Sequence, residues 1–131
     1  MKTKRGQSAI EFMIISGVVI FMFLTYSFFI QSKIADKGFE RRDLLTQEVA
    51  NTIKDEINLA LEATDGYSRT FNLANTILNA DYNATIDGDL VYVRTLDGKH
   101  AIAVPVANVT GQLIIGDNTI RKSNGVIYLN S

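Results

Sequence analysis

From Phe12 to Ser32 the chain carries no charged residue, and no proline occurs between Ser8 and Leu61. A segment inside hydrocarbon must satisfy its own backbone hydrogen bonds, and a lone segment manages this only as a helix. At about 1.5 Å per residue, roughly 20 residues cross the hydrocarbon core of a bilayer. The run therefore predicts a helix long enough to span. A short basic head, Lys2, Lys4 and Arg5, precedes it and meets it at Gly6 and Gln7. Its one anomaly is Glu11, a carboxylate just inside the apolar boundary. Charge placed there is costly and by default marks function.

The rest of the chain is bounded by size and composition. At 131 residues there is room for one further domain of modest core. An apolar content of 47% and a net charge of −1 exclude a disordered tail and leave no electrostatic footprint for nucleic acid. Cysteine is absent, which excludes disulfides, a thiol nucleophile and thiolate zinc sites. Loss of Lys2, Lys4 and Arg5 would lower the basic count from 13 to 10 against 14 acids, a net charge of about −4. That is a solubilising surface charge.

An ordinary secretory signal places its small-residue cleavage site after the apolar core. Here Gly6 lies before that core, and no Ala-x-Ala follows Ser32. An uncleaved signal-anchor fits the hydropathy. Charge leaves the orientation open, because Lys33, Lys37, Arg41 and Arg42 beyond the span are mixed with Asp36, Glu40 and Asp43. The apolar face is bulky with Phe12, Phe21, Phe23, Phe28 and Phe29, and small at Ser16, Gly17, Thr25 and Ser27. Small positions allow close helix approach in apolar surroundings, although a single span dissolved in lipid needs nothing different.

Past the span, Leu45, Val49, Ile53, Ile57 and Leu61 recur every four residues, with Ala50 and Ala60 beside them. Gln47, Glu48, Lys54, Asp55, Glu56 and Glu62 fill the other positions, which predicts an amphipathic helix with one apolar stripe. One helix continuing from the span is the simplest reading, with a flex point at Gly38 and a stop at Asp65-Gly66. From Tyr67 the period shortens to two. Strands are expected around Tyr67–Leu73, Leu90–Arg94, Ala101–Val104, Leu113–Ile115, Thr119–Arg121 and Val126–Leu129. Asp87-Gly88, Asp97-Gly98 and Asn124-Gly125 supply the turns, and Pro105 belongs at a strand end or edge. The fold class is thus α+β, a long N-terminal helix packed on a C-terminal antiparallel β-sheet. The stripe and the inward strand residues share its core.

The residues Lys4-Arg5-Gly6-Gln7-Ser8-Ala9-Ile10-Glu11-Phe12 resemble the class III signal peptide of archaeal type IV pilin-like proteins. Members of that family have a basic leader, a small residue, then glutamine opening a hydrophobic segment with glutamate at its fifth position. The resemblance implies cleavage between Gly6 and Gln7 by a membrane-embedded prepilin peptidase. It also implies assembly of the mature helices, with other copies or paralogous pilins, into a filament core. The expected organisation is a leader over 1–6, a transmembrane or filament-core helix over 7–32, its amphipathic continuation over 33–65 and a β-domain over 66–131. The chain would sit in the cytoplasmic membrane before assembly and in an extracellular surface filament afterwards, with adhesion as its role.

Physical chemistry makes sense of the same residues. Cleavage after Gly6 creates an α-amine four residues before Glu11, and an ammonium and a carboxylate desolvated together compensate each other. The amine of a neighbouring subunit would reward correct axial register and punish slippage. The spacing Ser8-x-x-Glu11 also matches a capping box, a compatible and purely local role. Two sequons, Asn83-Ala84-Thr85 and Asn108-Val109-Thr110, fall in or beside predicted loops and make Asn83 and Asn108 glycosylation candidates.

No catalytic constellation is expected. His100 is the single histidine, beside Lys99 after a turn, and reads as a solvated strand-edge residue. Asp87-Gly88-Asp89 lacks the remaining ligands of a calcium loop, and no Gly-x-Ser-x-Gly elbow or Gly-rich phosphate loop is present. No metal and no cofactor is expected. Two alternatives to a filament subunit stand beside it: an uncleaved, signal-anchored surface ectodomain, and a minor pilin or pseudopilin.

Overall fold

The computed structural model describes residues 3–131, with side chains described from Gly6 onward. Met1 and Lys2, and the side chains of Lys4 and Arg5, lie outside the described residues, so the basic head is not represented. One helix, α1, runs from Thr3 to Glu62 and is followed by seven strands, an α+β arrangement. The chain divides into two compact units, Met1–Phe39 and Glu40–Ser131.

The described residues of the first unit, 3–39, all belong to α1. Its aromatic and aliphatic side chains stand open: Phe12, Phe21 and Phe28 are each more than 70% exposed. Two hydroxyls fold back onto the helix, Thr25 Oγ1 onto the Phe21 carbonyl at 2.8 Å and Ser32 Oγ onto the Phe29 carbonyl at 2.8 Å. That habit lets a polar side chain sit in an apolar helix without an unmet donor. At the end of the uncharged run the Lys33 ammonium lies 5.5 Å from the Phe29 ring centroid, a cation–π contact. Helix already precedes Ser8, so Ser8 is an interior residue and the capping-box reading of Ser8 and Glu11 fails.

In the second unit the last turns of α1 supply one side of a core. Ala50, Ile53, Ile57 and Ala60 are fully buried, and Leu45 and Val49 pack against them. Leu61, expected in the stripe, is 48% exposed. The reason is rotational: at about 100° per residue a strict spacing of four drifts about 40° each step, so Leu61 has turned away from the face that Leu45 began. The Lys122 ammonium ends the helix, donating to the Leu61 carbonyl at 2.7 Å and the Ala63 carbonyl at 2.8 Å. Those carbonyls have no intrahelical partner, and a cation there also meets the negative end of the helix dipole.

The strands are β1 (Ser68–Leu73), β2 (Tyr82–Asp87), β3 (Leu90–Thr95), β4 (Ala101–Pro105), β5 (Thr110–Gly111), β6 (Gly116–Ser123) and β7 (Val126–Leu129). They form two sheets rather than one, with orders β1-β6-β7-β5 and β2-β3-β4. All pairings are antiparallel except β5 with β7, which is parallel. In that pair Gly111 holds φ +116 against the Leu129 backbone, leaving no room for a Cβ. The hairpin between β6 and β7 turns through Asn124 and Gly125, both at positive φ, the type I′ geometry that matches strand twist. Tyr82, Ala84 and Ile86 of β2 point inward beside Val91 and Val93 of β3.

Two expectations change here. Leu113–Ile115 is not a strand, because the buried Asn118 side chain takes the backbone of Ile114 for itself. Its amide oxygen accepts the Ile114 N–H at 2.9 Å, and its amide nitrogen donates to the Ile114 carbonyl at 2.8 Å and the Gly116 carbonyl at 3.0 Å. Residues Tyr82–Asp87, read only as a sequon beside loops, form a full strand.

Candidate functional site

Gly6, Gln7 and Glu11 all lie on α1 and are exposed. Gln7 and Glu11 are four residues apart, one helical turn, and so share a face. The stretch that follows is long and apolar enough to cross a membrane by length and composition, and none of its most apolar window is buried within the protein. Glu11 therefore heads an uncovered apolar surface, one turn from the Gly6–Gln7 bond. Its carboxylate belongs to no ion pair among the described residues.

The sequons separate. Asn108 is exposed in the irregular segment between β4 and β5, as expected. Asn83 is exposed too, but it lies within β2, with Thr85 on the same outward face. Among the described residues no side-chain hydrogen bond links the two asparagines.

His100 corrects the sequence reading. Its ring is fully buried, and Nδ1 meets the Asp43 carboxylate of α1 at 2.5 Å. The neighbouring helix residue Arg42 reaches the same hairpin, its guanidinium 3.9 Å from the Asp97 carboxylate and 3.5 Å from the Leu78 carbonyl. Asp97 organises the hairpin: it accepts the Thr95 hydroxyl at 2.5 Å and the Lys99 N–H at 3.0 Å. These two hydrogen bonds, Thr95 first, hold its carboxyl below the usual carboxylate range. Consecutive residues of α1 thus fasten the β3–β4 turn. A histidine beside a turn gives no local sign of burial, and its partner lies 57 positions away, so this clamp escaped sequence reasoning.

Elsewhere Tyr82 donates to the Ala74 carbonyl at 2.6 Å, and its burial raises the phenol pKa. Glu56 is buried on α1 and pairs with Arg69 of β1 at 3.4 Å, its second carboxylate oxygen meeting no hydrogen-bond partner among the described residues. Among the described residues no group of three or more histidine, aspartate or glutamate side chains converges to hold a metal. No known protein family, curated protein or solved structure matches the chain.

Proposed function

We propose that this chain is a structural subunit, a pilin, of an archaeal type IV pilus-like surface filament. It is cut before Gln7 by a prepilin peptidase, held in the cytoplasmic membrane by α1 and then assembled through that helix to serve adhesion. One observation carries the reading: an apolar helical surface with no covering inside the protein begins at a lone carboxylate one turn from Gly6–Gln7. A membrane anchor needs the apolar length but has no use for the carboxylate, a charge that hydrocarbon penalises. An assembling helix has a use for both. Removal of residues 1–6 puts a new α-amine at Gln7, and the Glu11 carboxylate is then available to the amine of a neighbouring subunit. The mismatch of an unpaired charge in an apolar bundle penalises a slipped register.

The test is the N-terminus of the protein recovered from host membranes and from sheared surface material, read by intact mass and N-terminal peptide mapping. A start at Gln7, with the chain in the sheared fraction, is the expected result. An uncut start confined to membranes would overturn the subunit reading and leave a signal-anchored ectodomain. A start at Gln7 in trace amounts, within filaments built of another protein, would make it a minor pilin.

A further inference from the structure

The outward face of the β2-β3-β4 sheet carries a trough of about 460 Å³. Register places its residues in two rows across the strands, Thr85 beside Tyr92 beside Ala103, and Asn83 beside Arg94 beside Ala101. The alanines are short, so the Tyr92 ring stands 41% exposed with open space on the β4 side. Arg94 is the one charged side chain lining the trough.

Several polar side chains elsewhere on the β-strands find partners within the protein, although Arg121 and Tyr128, neighbours across β6 and β7, have no side-chain hydrogen bond or ion pair among the described residues. Asn72 pairs with Asp117, Thr70 with Thr119, Arg69 with Glu56, and Asn118 with Asn130. Asn83, Thr85, Tyr92 and Arg94 have no side-chain hydrogen bond or ion pair among the described residues. Four side chains able to hydrogen-bond, one cationic, thus converge on a shallow floor of one aromatic ring and two methyl groups.

We propose that this trough binds a sugar bearing a carboxylate, of the uronic acid class. The apolar face of a pyranose ring lies flat on the Tyr92 ring, as amphipathic rings pack on aromatics. The Arg94 guanidinium takes the carboxylate through paired N–H···O bonds, the geometry that favours arginine for planar anions. Asn83 and Thr85 bond the ring hydroxyls. Tyr92 and Arg94 stand two residues apart on β3, about 6.8 Å along the strand, a spacing that a pyranose ring and its attached carboxylate can bridge. The charge complementarity selects an acidic saccharide over a neutral one, because a neutral sugar leaves Arg94 unused. The site belongs to the second unit and stands whether or not the chain assembles into a filament.

The experiment titrates the detergent-solubilised full chain, produced without glycosylation, with a galacturonic acid trimer and with a neutral maltotriose control, by calorimetry and by side-chain NMR. Saturable binding of the acidic trimer alone is expected. Arg94→Gln and Tyr92→Ala should each weaken it by roughly tenfold or more, whereas Tyr92→Phe should keep most of it. All three changes lie on an exposed face, and an unchanged melting temperature will show that the variants are folded. Equal binding of the neutral trimer, no saturable binding, or binding indifferent to Arg94→Gln would overturn the proposal. So would native protein carrying a glycan on Asn83, since the trough would then be filled covalently.

Discussion

Asp43 and His100 meet as a half-exposed carboxylate and a fully buried imidazole, and the burial decides the consequence. Removing the partner of a buried polar group costs about 1–3 kcal/mol, more than the bond itself contributes. Asp43→Ala should therefore lower the melting temperature of the second unit, by about 4–8 °C per kcal/mol lost. A melt followed by near-ultraviolet tyrosine signal checks it, and an unchanged midpoint would show the contact to be incidental. Asp97 and Tyr82 set opposite limits in pH. The Asp97 pKa is depressed, so its stabilisation is present above its unfolded value of about 3.9 and is lost as pH falls through the lower folded value. The Tyr82 pKa is raised, so its contribution is present below about 10 and is lost as pH rises through the higher folded value. In denaturation midpoints measured across pH, Asp97→Asn should flatten part of the acid limb and Tyr82→Phe part of the alkaline limb. Neither should alter the plateau between them by a pH-dependent amount.

Within α1 the position around the helix axis matters more than hydrophobicity. Ile57 is wholly buried and Leu61 half exposed, although one period of four separates them. Ile57→Ala should cost about 2–5 kcal/mol through lost burial and cavity formation. Leu61→Ala should change stability by no more than about 0.5 kcal/mol. Equilibrium denaturation of the two variants side by side decides it, and equal losses would restore the simple stripe. Asn118 plays the matching part in β6. Its oxygen accepts from Ile114 and Asn130, and its nitrogen donates to Ile114 and Gly116, so both donors and both lone pairs are used. Asn118→Leu should therefore cost about 1–3 kcal/mol for each group it leaves unpaired, despite being more apolar in a buried place.

For the whole molecule the decisive substitution is Glu11→Ala. On the filament reading, Glu11→Ala should still be processed before Gln7 and reach the membrane, yet be lost from the sheared surface fraction. Quantitative recovery of both fractions checks this, and normal assembly would remove Glu11 from the account. Much of the molecule was legible before any fold was known. Hydropathy and the lack of proline define α1, because a backbone without competing partners closes its own hydrogen bonds. Alternation marked β1, strand-forming residues marked β3 and β4, and Asn124-Gly125 marked its hairpin, because those signals are local. Other features were not legible for the opposite reason. The strand expected at Leu113–Ile115 lost its backbone groups to a side chain. β2 is the exception: Tyr82, Ala84 and Ile86 alternate with Asn83, Thr85 and Asp87, a local period-two signal that reading the segment as a sequon beside loops passed over. The chain's local chemistry alone determined a long apolar helix headed by Gly6, Gln7 and Glu11, with a β-rich remainder. Tertiary structure decided which face of that helix is core, that the strands divide into two sheets with one parallel pair, and that His100 lies buried against Asp43. Each of those depends on groups distant in sequence competing for the same burial and the same hydrogen bonds, a competition that exists only once the chain has closed on itself.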